Sequence, residues 1–304
     1  MALRFCEENL SETELQHISE RNLDRLEMPD DIFPWKNLLS NGIQEKAFEA
    51  SFLKQPDLFL RIRPGQKETV IRKLNAANVP YSIEQGNAIR LPNTTKIQDI
   101  LLLNKEVVVQ DLSSQQVANL LRLVAEDTKG ERLQVYDCCA ASGGKSILAT
   151  DNLPHFELTV SDIRPTIIAN LKKRFSEAGI LQYHSFVHDA AQTLPTKKTY
   201  NLLIADVPCS GSGTWSRTPE QLFYFDSKNI AKFEALQKSI LQSIAPLIKP
   251  GGYLLYITCS VFRQENEQQI DLVSSWGFDV VQQNLIKGYE QQADTMFAAL
   301  LKNF

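Results

Sequence analysis

Val135-Tyr136-Asp137-Cys138-Cys139-Ala140-Ala141-Ser142-Gly143-Gly144-Lys145 is the stretch on which the reading of this 304-residue chain turns. An apolar run reaches an aspartate, breaks into small residues and glycines, and opens a helix-forming segment. Small side chains let the backbone approach a ligand closely, and a helix N-terminus presents free N–H groups. A tight strand-to-helix turn without a ligand has the same look, so this turn alone decides nothing. It is not a P-loop, because the G-x-x-x-x-G-K-[ST] spacing is absent.

Downstream, strand and helix patterns alternate. Strands are read at Leu133–Tyr136, Leu158–Ser161, Ser185–His188, Asn201–Ala205 and Tyr253–Ile257. Helices are read near Ser146–Thr150, Pro165–Ala178, Ile230–Ile248 and Glu265–Trp276. Such alternation predicts an α/β fold, a parallel sheet wrapped by helices with right-handed crossovers. Asp162, Asp189 and Asp206 each close one of these strands. One acidic strand end is commonly a cap or a turn former. Acidic residues at three successive strand ends, after a glycine-rich turn, point instead to a pocket for an adenosyl group, with Asp162 suited to ribose hydroxyls.

Upstream, residues 1–50 read as a helical lead-in, with an N-cap pattern at Ser11-Glu12-Thr13-Glu14 and apolar residues at Leu15, Ile18, Leu23 and Leu26. Residues 51–110 read as a small α+β domain: a strand at Leu58–Arg63, a helix at Lys67–Ala77, and two strands flanking Gln85-Gly86-Asn87. Residues 111–304, starting with a helix near Ser114–Glu126, form the alternating domain. The formal net charge of −4 supplies no general attraction for nucleic acid. A local cluster at Arg61, Arg63, Lys67, Arg72 and Lys73 could, although charge clusters are more often solvated faces. No apolar run approaches the roughly 18 residues of a membrane span, and Met1–Glu20 has no apolar signal core. A cytoplasmic protein is expected. The five cysteines (Cys6, Cys138, Cys139, Cys209, Cys259) show neither zinc-ligand spacing nor a disulfide framework, so no metal is expected.

Two more segments carry chemistry. Asp206-Val207-Pro208-Cys209-Ser210-Gly211-Ser212-Gly213 and Tyr256-Ile257-Thr258-Cys259-Ser260, with Glu265-Asn266-Glu267 behind it, each put a cysteine just past a strand. Singly, each cysteine would be a buried small hydrophobe. Together with the glycine-rich turn, they resemble the ordered motifs of the Sun/Fmu-type RNA cytosine-5 methyltransferases: D-x-C-A-A-P-G-G-K, D-A-P-C-S-G-x-G and Y-x-T-C-S followed by E-N-E. Further similarity lies in Val107–Gln115, in Arg217-Thr218-Pro219-Glu220 and in Ala293–Leu300. Ser142 and Val207 stand where the family usually has proline and alanine. Ile167 stands where it often has arginine, with Arg164 as a possible substitute.

The resemblance implies a class I S-adenosylmethionine-dependent methyltransferase, Rossmann-like with a seven-stranded sheet. It also implies a reaction. Cys259 would add to carbon 6 of a cytosine, making carbon 5 nucleophilic. Asp206 would serve as the acid at nitrogen 3, with its pKa raised by burial. Cys209 would assist release of the methylated base. S-adenosylmethionine would contact Cys139, Ala140, Ala141, Ser142, Gly143, Gly144, Lys145, Asp162, Asp189 and Asp206. The target base would be unpaired or flipped, with Arg61, Arg63, Lys67 and Arg217 as RNA contacts. Ribosomal RNA is the expected substrate and a monomer the expected state. The alternatives are a transfer RNA substrate, a non-catalytic RNA-binding or assembly factor, and an N-methyltransferase, which would show an N/D-P-P-Y type loop and need no thiol.

Overall fold

Residues 32–86 and 88–304 are described by the computed structural model; Cys6 and the helical pattern from Ser11 to Leu26 lie outside the described residues. A short helix, α1 (Glu45–Ser51), precedes a four-stranded antiparallel sheet of β1 (Leu58–Ile62), β2 (Ser82–Ile83), β3 (Ala88–Leu91) and β4 (Val107–Val109), in the order β2-β3-β1-β4. Helix α2 (Lys67–Ala76) places Val70 and Leu74 against Leu60, Ile62 and Ile89 of this sheet. Its apolar residues recur at helical spacing while its Lys and Glu residues face outward.

After α3 (Leu112–Gln116) and α4 (Ala118–Asp127) comes the larger sheet, from β5 (Leu133–Asp137), β6 (Phe156–Asp162), β7 (Tyr183–Val187), β8 (Tyr200–Asp206), β9 (Ile248–Thr258), β10 (Phe278–Ile286) and β11 (Met296–Asn303). Among the described residues these form a seven-stranded sheet in the order β10-β11-β9-β8-β5-β6-β7. The pairs β5–β6, β6–β7, β5–β8 and β8–β9 are parallel, and β11 runs antiparallel to both its neighbours. This is the Rossmann-like, seven-stranded α/β fold expected. Helices α5 (Gly144–Asn152), α6 (Pro165–Glu177), α7 (Gln221–Tyr224), α8 (Lys228–Ile244) and α9 (Glu267–Ser274) lie between the strands in sequence. The central strands are apolar on both faces because helices cover both. No helix among the described residues is long and apolar enough to cross a membrane.

The five strands read from sequence are all present, each longer by one or more residues. The last hairpin, β10–β11, was not read as strands. The β10 strand is an edge: its residues Asp279–Gln283 are exposed, so no buried face imposes alternation. The β11 run, Met-Phe-Ala-Ala-Leu-Leu, is buried on both faces and rich in good helix formers, so pairing with β9 and β10 overrides propensity. At the end of α6, local chemistry is legible. Gly179 takes φ +75°, its N–H reaches Ser176 O at 3.1 Å and Ile180 N–H reaches Phe175 O at 2.8 Å, a Schellman termination.

The small sheet docks on α5 through buried charge. Arg61 donates to Gln110 Oε1 at 2.7 Å and to Asp151; Arg63 Nε donates to Asp151 Oδ1 at 3.0 Å. Arg61 is 7% exposed. Arg61 and Arg63, the residues expected to contact RNA, are thus engaged with Asp151 and hold the sheet to α5. Burial, offset by Asp151, pulls the Arg61 pKa below its usual value. Lys67, in the first turn of α2, stays exposed.

Candidate active site

Strand order reverses at β5: β6 and β7 continue to one side, β8 and β9 lie on the other. In such sheets ligands bind at the carboxyl ends of the strands beside the switch point. At that edge β5 ends in Asp137, β6 in Asp162, β8 in Asp206 and β9 in Thr258, one residue before Cys259.

The turn after β5 is tied to its neighbours by backbone bonds, Cys138 N–H to Ile204 O at 3.0 Å and Ala140 N–H to Ser161 O at 2.9 Å. Ala141 sits at φ +45° and Gly143 at +85°. A Cβ on Gly143 would lie 2.4 Å from the Phe175 ring, so a glycine is required there. A Cβ on Gly144 would meet no atom within 4 Å, so the first turn of α5 opens onto free space. Lys145 Nζ donates to Asp206 Oδ2 at 2.9 Å, and the Ser146 hydroxyl to Asp137 Oδ2 at 2.7 Å. Burial pushes the Asp137 carboxyl up to about 7, with the Asp206 and Asp162 charges adding to it and Ser146 and Lys145 opposing.

Asp162 is reached by Ala141 N–H at 3.1 Å, and Arg164 covers it with Nε to Oδ1 at 2.9 Å and Nη2 to Oδ2 at 3.1 Å. Burial opposes its charge, yet these bonds hold the carboxyl below the usual range. Asp189 lies two residues past β7, where its carboxylate caps a local turn by accepting Ala191 N–H at 3.0 Å. Carboxylates flanking a small-residue turn, next to open space at a helix N-terminus, form a donor and acceptor set that fits an adenosyl cofactor. Ser142, in place of the family proline, accepts Arg174 Nη1 on its hydroxyl at 2.9 Å.

Cys209 Sγ and Cys259 Sγ lie 3.3 Å apart, although 50 residues separate them. The Cys259 thiol and removal from solvent together push the Cys209 thiol well above its usual range. Burial does not surround Asp206, contrary to expectation: its side chain keeps 32% exposure and pairs with Lys145.

Behind the thiols is a buried polar network that sequence reasoning did not find. Ser210 N–H and the Ser260 hydroxyl both donate to Glu265, each at 2.8 Å. Gln237 Nε2 donates to Pro208 O at 2.9 Å and to Glu265 Oε2 at 3.1 Å. Ser212 Oγ accepts Val261 N–H at 2.9 Å. One signal existed: Gln237 is a polar residue on the apolar stripe Ile230, Ile240, Leu241, Ile244 of α8. Asn266 binds Ser40 Oγ at 2.8 Å, and Glu267 takes Ser40 Oγ and Asn41 N–H at 2.9 Å each. Residues 33–52 are thereby docked beside the Cys259 loop, where Phe33, Trp35, Phe48, Trp215 and Phe262 form one aromatic cluster.

Arg217 is also structural. Its Nε binds Asp294 Oδ1 and its Nη2 binds Asp111 Oδ2, both at 2.7 Å, while Asp111 caps α3 through Ser113 N–H. Three separate sequence motifs meet at this one side chain. Burial, with the Asp111 charge, pushes Asp294 up to about 7 despite Arg217.

Comparison with known proteins matches residues 118–301 to the family described as 16S rRNA methyltransferase RsmB/F. The ribosomal RNA small subunit methyltransferase B of Xylella fastidiosa is 28% identical over 259 residues, 83% of this chain and 59% of that protein. The probable ribosomal RNA small subunit methyltransferase B of Bacillus subtilis is 31% identical over 195 residues, 62% of this chain and 42% of that protein. The chain thus spans about half the length of the curated relatives it matches. Among solved structures, NSun6 from Pyrococcus horikoshii with SFG superposes at TM-score 0.76 with 13% identity, covering 90% of this chain and 98% of that one. A methyltransferase homolog protein from Pyrococcus horikoshii gives 0.72 with 17% identity, covering 97% and 100%. At these identities the likeness is one of fold.

Proposed function

Because the chain belongs to the 16S rRNA methyltransferase RsmB/F family, we propose that it methylates carbon 5 of a cytosine in RNA, ribosomal RNA first, through a covalent cysteine–base adduct. The observation that carries this reading is the pair of thiols from two strand ends, 3.3 Å apart, beside the Asp206–Lys145 pair. Two thiols apposed at the ends of β8 and β9 support a reaction that uses a nucleophile. When bound, S-adenosylmethionine supplies the methyl group as an electrophile.

Cys259, as thiolate, adds to carbon 6 of the base and turns carbon 5 into the attacking atom. Asp206 would serve at nitrogen 3 of the base, with Lys145 Nζ, which donates to its Oδ2, as the neighbouring N–H group. After methyl transfer the carbon-5 proton is lost, its electron pair re-forms the 5,6 double bond and the Cys259–carbon 6 bond breaks. Cys209, whose thiol is raised above its usual range by Cys259 and burial, assists that release. Ala140, Ala141, Ser142, Gly143 and Gly144 would give S-adenosylmethionine a close backbone approach, with Cys139, Asp162 and Asp189 as further contacts. Lys67 is the member of the expected RNA-contacting set that stays exposed.

The test is a pair of variants incubated with labelled cofactor and unmodified ribosomal RNA. Cys259→Ala abolishes transfer and traps no RNA. Cys209→Ala accumulates a denaturant-resistant protein–RNA band. Trapping by Cys259→Ala, with none by Cys209→Ala, inverts the roles; transfer by Cys259→Ala ends the covalent reading.

A further inference from the structure

One buried carboxylate stands behind both thiols. The register of β8 against β9 runs out at Asp206 opposite Ile257, so sheet pairing does not itself hold Cys209 against Cys259. Beyond that point the strand-end loops are joined by Val207 N–H to Ile257 O at 3.1 Å, by Gly213 N–H to Cys259 O at 2.8 Å, and through Glu265. Glu265 Oε2 accepts the N–H of Ser210, the residue after Cys209; Oε1 accepts the hydroxyl of Ser260, the residue after Cys259. We infer that Glu265 is a positioning residue whose carboxylate spans the two loops and sets the separation of the two thiols, an inference that rests on the two-thiol reading above.

The surroundings fit that work. Glu265 is fully buried, and the Tyr256 hydroxyl donates to its backbone carbonyl at 2.6 Å, fixing its own position from β9. Gln237 clamps Glu265 and Pro208 together from α8. After the Cys259 thiol and burial, the Glu265 charge is among the influences that hold the Cys209 thiol up, so the same group favours keeping Cys209 as S–H. A glutamine could keep the bridge: its carbonyl would accept Ser210 N–H, and its amide would donate to Ser260 Oγ. The freed Ser260 proton has Ser212 Oγ at 3.3 Å and Ser210 Oγ at 3.1 Å to turn to. Alanine leaves the bridge unmade.

Capture by phenylarsine oxide reads the separation directly, in the full chain without RNA or cofactor. Two S–As bonds form across a thiol pair, and the oxide oxygen leaves as water with the two thiol protons. Peptide mapping separates the Cys209–Cys259 adduct from any at Cys138–Cys139. In Glu265→Ala the Cys209–Cys259 capture rate falls about tenfold or more, since a misplacement near 1 Å can cost that much. Single-thiol maleimide labelling of each cysteine persists. Glu265→Gln restores capture to within about threefold of the wild type, as a bridge of hydrogen bonds requires. If Glu265→Ala does not fold, Ser260→Ala, which removes one arm, decides the matter by slowing capture about threefold or more. Wild-type capture in Glu265→Ala or in Ser260→Ala overturns the inference, as does a Glu265→Gln that fails as fully as alanine. Failed methylation with these capture rates would refute the function reading alone. Unchanged capture in Glu265→Ala alongside working methyl transfer would refute this inference alone.

Discussion

Replacing Asp151 with alanine loosens the small sheet from the larger one. The Asp151 side chain is 5% exposed and takes Arg61, 8% exposed, and Arg63, 11% exposed. Breaking a buried ion pair by removing one partner costs about 3–5 kcal/mol, because a charge is left buried and uncompensated. Here two charges are left, but Arg61 keeps Gln110, and Arg63 keeps the carbonyls of Asn104 and Ala178. The lower end, about 3 kcal/mol, is therefore expected. At roughly 2–4 °C per kcal/mol for a chain of this order of size, the midpoint falls by about 6–12 °C. Thermal melts followed by far-ultraviolet circular dichroism, with limited proteolysis of the 104–118 connection, measure this. A loss under about 1 kcal/mol would place the pair among exposed ones and refute the docking argument. Pairing Asp151→Leu with both Arg61→Met and Arg63→Met should recover much of the loss, since apolar replacement of a buried ion cluster is often neutral. Charge reversal at Arg61 or Arg63 would likewise report on docking before it reported on RNA.

Three further expectations are direct. Asp137 titrates at about 7 in the folded chain and near 3.9 unfolded, so the folded state holds the extra proton and stability falls as pH rises between those values. Urea midpoints should show Asp137→Asn gaining on the wild type by up to roughly 1.4 kcal/mol per pH unit in that window, whereas parallel curves would contradict the burial argument. In Gly213→Ala the new Cβ would lie 1.9 Å from Thr295 O, so urea melts should show a loss of about 3 kcal/mol and assays a fall in methyl transfer, with a neutral result refuting the contact. Phe33→Ala removes a fully buried ring that touches Trp215 and Phe262; tryptophan fluorescence in urea should report a loss of about 3–5 kcal/mol, and a loss below about 1 would mean the cluster does not support the loop.

What the sequence disclosed depended on where the physics is local. The glycine turn and the strands that end in Asp162 and Asp206 are governed by residues within a few positions of one another, and they were legible. The two cysteines were legible as a pair because each follows a strand that ends near the glycine turn, whereas their 3.3 Å approach depends on strand order. The ion pairing of Arg61 and Arg63 was hidden for a physical reason: a cluster of basic residues reads the same whether solvent or a buried Asp151 faces it, and Asp151 is some 90 positions away. The same holds for Arg217, whose two carboxylate partners come from distant loops. The β11 run was hidden by its helix-forming composition. Gln237 was recoverable, being a polar residue on an apolar helical stripe.

The docking of Ser40 and Asn41 on Glu267 joins positions 227 and 226 residues apart. Contacts of such high sequence separation form late, because their loop-closure entropy is met before any reward. During translation, residues 33–52 leave the ribosome long before the Cys259 loop they support, and must wait without their partner. Competence thus waits on the Cys259 loop, and a nascent chain that lacks it carries the cofactor turn without the two apposed thiols.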